Sequence, residues 1–286
     1  MNEYAEEDIG NIVSLEHVNV QIPDQAQATL FYVVGLGLTR DPYLNVGLNN
    51  MWVNAGEQQF HLPTRSPQVI QGHVGIVVPD LDALEGRLRA VAEGLQGTQF
   101  SFSRSAESIA VTSPWGNHYR CFVSQPAFGD MTVGVPYVEF FVPTGALEGI
   151  LRFYDTALGA PATTERDGED RLGRVMIGRH QSLLFRETER TLAPYDGHHI
   201  AIYVANFSGP YAYCKSHGLI SEDVRNHQFR FKDIVDPKDG RQKFTLEHEV
   251  RSLKHPMYHR PFVNRDPGQS QRGYRRGWDA LTPFQR

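Results

Sequence analysis

One eight-residue phrase occurs four times along this chain, and it limits the possible folds more than any other feature. It reads HVNVQIPD at 17–24 and HVGIVVPD at 73–80, then returns in weaker form as YVEFFVPT at 137–144 and HIAIYVAN at 199–206. The copies begin 56, 64 and 62 residues apart, as a repeated supersecondary unit would. Within each copy, β-branched or aromatic residues alternate with more variable ones, which is the period of a strand with one buried face. Val18, Val20 and Ile22 then share one face and His17, Asn19 and Gln21 the other, just as Val138, Phe140 and Val142 stand opposite Tyr137, Glu139 and Phe141.

Each phrase leads into a helix-like segment. In the first, DQAQATLFYVVGLGL, Asp24 can cap the start and Gly35 or Gly37 can close the end. The third, LEGILRFYDTALGA, repeats its F-Y-x-x-x-L-G frame, and LDALEGRLRAVAEGL and YAYCKSHGL occupy the same place in the other two. Three shorter strand-like runs follow each helix, so every unit reads as strand, helix, three strands. The apolar face of the first strand covers the helix, and the variable face is left to line something else. SPWGNHYRCFV and DPKDGRQKFTLEHEV close the second and fourth units with a proline, a glycine turn and a strand. QPAFGDMTVG at 125–134 has no periodicity and is rich in Pro and Gly, which predicts a boundary between domains at 14–125 and 135–250. The remaining 251–286 holds eight Arg or Lys against two Asp and is read as an irregular basic tail, draped on the surface or on a neighbouring subunit.

Composition narrows the function classes. Hydrophobic residues at 40% and charged residues at 21% suit a globular core, and a formal net charge of −5 offers no basic field for nucleic acid. No apolar run is long enough for a membrane span, and the acidic start is unlike a secretory signal. Cys121 and Cys214 lie far apart and build neither a disulfide framework nor a thiolate metal cluster, so a cytoplasmic setting is expected.

Paired strand–helix–three-strand units with a leading histidine resemble the vicinal oxygen chelate superfamily, which includes glyoxalase I, bleomycin-resistance proteins, methylmalonyl-CoA epimerases, fosfomycin-resistance enzymes and extradiol dioxygenases. The resemblance covers roughly residues 14–250. It rests on HVNVQIPD, HVGIVVPD, FYVVGLGL, FYDTALGA and the DPKDG turn. It implies an α+β fold in which four βαβββ modules pair into two open, cup-shaped mixed sheets, with each leading residue at a cup's metal position. Four modules in one chain look most like the extradiol enzymes.

A metal in such a cup needs two or three side-chain donors on adjacent strands and open positions for substrate oxygens. In extradiol-type members the set is two histidines and a glutamate. Carried onto the second domain, these positions fall on Tyr137, His199 and Glu247. Tyr137 departs from the pattern, because a phenol with a pKa of about 10 is a poor ligand while protonated. Glu139, two residues on and facing the same way, can complete a His199–Glu247–Glu139 set, and Glu249 shares the face of Glu247 as an alternative ligand. His198 has the opposite parity to His199 and is expected to point away. The first domain offers His17, His61 and His73 as a second choice. There the glutamate position reads Arg120, a cation that either argues against metal or marks where an anionic substrate group sits. HPMYH at 255–259 has i,i+4 histidines, but Pro256 argues against a zinc helix.

Three functions compete. The first is an extradiol-type dioxygenase in which a divalent metal, Fe(II) first with Mn, Zn and Ni as alternatives, chelates a catechol-like small molecule beside O2. Tyr203 or Tyr137 would then supply a proton donor or acceptor. The second is a lyase or isomerase that shuttles a proton through Glu247 or Glu139. The third is a metal-free protein that sequesters a small ligand. A homodimer is expected on general grounds.

Overall fold

The computed structural model describes residues 8–42, 49–168 and 170–260. Each unit takes the predicted form. The first comprises β1 (Ile12–Asn19), α1 (Gln25–Ala28) running on as a π-helical stretch over Thr29–Gly35, then β2 (Thr39–Arg40), β3 (Asn50–Ala55) and β4 (Gln58–Pro63). The second comprises β5 (Gly72–Val77), α2 (Leu81–Val91), β6 (Ser101–Arg104), β7 (Ile109–Thr112) and β8 (His118–Phe122). The third comprises β9 (Tyr137–Pro143), α3 (Leu147–Leu158), β10 (Ala162–Asp167), β11 (Asp170–Met176) and β12 (Ser182–Thr188). The fourth comprises β13 (His199–Val204), α4 (Ser208–Ser216), β14 (Ile220–Arg225), β15 (Gln228–Val235) and β16 (Gln242–Ser252). Asp24 caps α1 by accepting from the amides of Ala26 at 2.8 Å and Gln27 at 2.9 Å, and Asp80 caps α2 through Ala83 at 2.9 Å. α3 ends on Gly159 at a φ of 62°, the left-handed geometry that a side chain resists.

The strands form two eight-stranded mixed sheets, ordered β14-β15-β16-β13-β1-β4-β3-β2 and β10-β11-β12-β9-β5-β8-β7-β6. This pairing corrects the sequence expectation. Units one and four share a sheet through antiparallel β1 and β13, and units two and three share the other through antiparallel β5 and β9. The expected domains 14–125 and 135–250 therefore each give one unit to each sheet. The cause is local. After β8 the chain turns at Pro126–Phe128 and bridges Gly134 to Val77, which lays β9 on the open edge of β5. The matching edge of β1 is then left for β13. Four equivalent first strands do not name their partners by pattern; the course of the connector decides.

The helices lie between the sheets. α3 rests on β10, β11 and β12 and also touches β15 and β16 of the other sheet. Tyr32 in the π-helical stretch shares a 2.6 Å hydrogen bond with Tyr119 of β8, again across the two sheets. Phe31, Phe60, Phe153 and Phe185 are fully buried in this layer, each contributing about 1.5–3 kcal/mol. With one face of each sheet committed to the helices, the other face forms a hollow turned away from the core.

His248 lies on the helix-facing side of β16 and shows how this core handles a titratable group. Its ring stacks on Phe231 at 4.5 Å, Nδ1–H donates to the Leu246 carbonyl at 2.7 Å, and Nε2 accepts from the Tyr154 hydroxyl at 2.7 Å. Burial holds its pKa down at about 4, against 6.5 when exposed. In the window between those values only the unfolded chain takes up the proton. Stability is therefore full above pH 6.5 and falls as the pH drops toward 4, by roughly 3 kcal/mol for this one group. Urea midpoints measured across that window, alongside the NMR titration of the His248 imidazole, check the expected slope.

Candidate metal centre

The hollow of the first sheet is built from four adjacent strands. Parallel pairing sets His17 beside Gln59 and Asn19 beside His61, and antiparallel pairing sets Asn19 beside His199 and His17 beside the small Ala201. On the far side, β13 aligns His199 with Glu247 and Ala201 with Glu249. His17, His61 and His199 thereby converge, with ligand-capable nitrogens within 4.8 Å of one another. Ring centroids of His17 lie 5.7 Å from His61 and 5.6 Å from His199, and Trp52 stacks on His61 at 3.9 Å.

The Nε2 atoms of all three histidines are buried and have no hydrogen-bond partner among the described residues. One such atom costs about 1–3 kcal/mol, so three on converging rings call for a shared ligand. Burial, reinforced by the neighbouring His17, pushes His61 and His199 well below the ordinary imidazole range. Both are then neutral at physiological pH, as metal ligation requires. The outer nitrogens are held in place: His17 Nδ1 bonds Glu16, and His61 Nδ1 lies 2.5 Å from the Asn19 amide. These residues fit a divalent cation.

Glu249 Oε2 lies 3.8 Å from His199 Nε2, a second carboxylate beside the trio after Glu16. Burial opposes its charge, but Arg251, His17 and Arg230 outweigh that and hold the carboxyl below the usual range. Arg230 donates to it at 2.6 Å and Arg251 at 2.7 Å. Glu247 faces the same way as expected, but its carboxylate is tied to Arg230 at 2.6 Å.

The set His199–Glu247–Glu139 is not brought together. Glu139 belongs to the other hollow, where Arg186 donates to it at 3.0 and 3.2 Å and His73 Nδ1 lies 3.5 Å away. The second-choice set of His17, His61 and His73 fails in one member, since His73 stands on β5 and His199 takes its place. Both corrections follow from the pairing of units one with four. Arg120, on β8 beside Gly75, also lies in the second sheet and does not bear on the histidine trio. Tyr137 fills the second hollow. Its hydroxyl meets His73 Nε2 at 3.0 Å and its ring packs on Phe122 and Phe128. Gly75 makes room for it, because a Cβ there would come within 2.5 Å of the ring. Among the described residues, the trio of the first hollow is the one converging group of three or more donors.

The tail also departs from expectation. Residues 251 and 252 belong to β16, and the turns over 253–260 cover the first hollow instead of draping freely. Met257 packs on Trp52, Tyr258 meets the Tyr203 ring at 4.9 Å, and Arg260 forms an ion pair with Asp41. Residues 261–286 lie outside the described residues. Tyr203 shares the hollow with the trio as expected, and burial raises its pKa, which keeps the phenol protonated at physiological pH. A cleft of about 740 Å³ runs past Glu16, Gln59, Tyr203, Tyr258, Phe128 and Arg179, alongside this end of the hollow. Sequence reasoning missed Trp52, Glu16 and Arg251. For Arg251 a signal existed, because Glu247, Glu249 and Arg251 alternate along one face; for Glu16 parity pointed the wrong way.

Among solved structures, glyoxalase I from Zea mays aligns with a TM-score of 0.59 at 13% identity, over 86% of this chain and 97% of that one. A proposed dioxygenase from Bacillus subtilis aligns at 0.57 and 14% identity, over 92% of this chain and 89% of the other. This chain has the vicinal oxygen chelate fold. No family model and no curated protein matches its sequence. Within the vicinal oxygen chelate fold, each sheet supplies one cup, and here only the cup of units one and four keeps a convergent donor set among the described residues.

Proposed function

We propose that this protein is a metal-dependent enzyme in which His17, His61 and His199 hold one divalent cation and the substrate is a small molecule with vicinal oxygens. One observation carries the reading: three imidazoles with ligand-capable nitrogens within 4.8 Å of one another each hold a buried Nε2 that has no hydrogen-bond partner among the described residues. A bound cation would act as a Lewis acid toward the two oxygens of a catechol-like ligand. The chain's own groups would do the rest. Trp52, Tyr203 and Met257 offer aromatic and apolar wall for a ring, the 253–260 turns exclude water, and the protonated Tyr203 can donate.

Between oxygen-dependent ring opening and proton shuttling, the carboxylates favour the former. An isomerase needs a carboxylate basic enough to take a proton from carbon. Glu249 and Glu247 are instead engaged by Arg230 and Arg251, and Glu249 is held below the ordinary carboxylate range. Fe(II) with O2 is therefore preferred; Mn, Zn and Ni are alternatives, since three imidazoles also suit borderline ions.

The test begins with protein purified without chelator and assayed for metal. Anaerobic addition of Fe(II), then catechols with oxygen-uptake recording, is expected to give a coloured ring-fission product. Stoichiometric metal without oxygen uptake would shift the reading to an isomerase or lyase. No metal after reconstitution would leave a ligand-sequestering protein.

A further inference from the structure

We infer that Glu16 is a positioning residue for the metal centre, fixing the tautomer of His17 so that Nε2 faces the other two imidazoles. The inference rests on the metal-site reading above. A residue next to His17 on a regular strand would point into the helix layer. Here the β1–β13 register shifts between Leu15 and His17, and this bulge turns both Glu16 and His17 toward the hollow. Glu16 and His17 are each buried, and the Glu16 carboxylate contacts His17 Nδ1 directly. On its other side Arg251 reaches Glu16 Oε2 at 2.8 Å.

An ionised carboxylate only accepts, so the proton between the pair sits on Nδ1, and in the neutral imidazole that ligation requires Nε2 then keeps its lone pair. The Arg251 guanidinium holds Glu16 in that ionised form. It also binds Glu249, the carboxylate beside His199, so one buried cation anchors a carboxylate next to each of two ligands. Outer partners of this kind typically change metal affinity 10–100-fold when removed.

The inference is tested first without metal. Long-range ¹H–¹⁵N correlation of the imidazoles in the apo wild-type protein is expected to show His17 as the Nδ1–H tautomer. In Glu16→Gln, whose amide can present either donor or acceptor, that preference is expected to weaken, and Zn(II) or Fe(II) affinity to fall about 10–100-fold. Glu16→Asp is expected to restore part of both. An Nε2–H tautomer in the wild type overturns the inference, as does a folded Glu16→Gln variant with unchanged tautomer and affinity. If the wild type binds no metal, the enzyme reading fails, while the tautomer measurement still decides the role of Glu16.

Discussion

Replacing His199 by alanine is expected to abolish metal retention, whereas Glu139→Gln is expected to leave it untouched. His199 is one of three imidazoles whose nitrogens lie within 4.8 Å of one another, and its Nε2 has no hydrogen-bond partner among the described residues. Its removal leaves two ligands on β1 and β4 and none from the fourth unit. Affinity should fall by at least about 100-fold, beyond what outer partners produce. The fold should persist, because the side chain faces the hollow and not the helix layer. A thermal readout separates these effects. A cation at 100 times its dissociation constant stabilises the wild type by about 2.7 kcal/mol, and that gain should vanish in the variant. Glu139 serves as the control, since it binds Arg186 and His73 in the other sheet. Equal metal loss in the two variants would mean that the two hollows have been assigned wrongly.

Arg251→Leu is expected to destabilise the protein by about 3–5 kcal/mol, a far larger effect than removing any ion pair on the surface. Arg251 is 3% exposed and binds both Glu16 and Glu249, which are themselves buried. Leucine replaces its volume but leaves Glu16 without its arginine and Glu249 with Arg230 alone, in a poorly solvated site beside the histidines. Burial opposes charge on Arg251, yet Glu16 and Glu249 more than offset this and keep its pKa above the usual value. Saturating divalent metal should recover part of the loss, because it binds only the folded chain and supplies positive charge to the same site. Urea unfolding with and without metal measures both quantities. A change below about 1 kcal/mol would show that the arginine is not the centre of a buried network.

The units themselves were legible because strand period, Asp caps and glycine stops are local signals. Asp24 caps as expected, Asp80 caps the matching helix of the second unit, and α3 closes on Gly159. Which unit pairs with which was not legible, because that choice depends on how 126–134 folds back on β5 and no pattern within a strand records it. The site inherited this gap. His17, His61 and His199 were each singled out, and parity placed each of them on a variable face, yet they were distributed between two sets that the true pairing separates. Glu16 was hidden by a bulge, which reverses the parity argument at one position. Residues 253–260 lacked any period, so their packing over Trp52 and Tyr203 had no sequence signature.

The most direct test of a shared three-histidine centre is diffraction from metal-reconstituted crystals at that metal's absorption edge. One anomalous peak within bonding distance of the Nε2 atoms of His17, His61 and His199 is the expected result. A peak beside His73 and Glu139, or none at all, would contradict it.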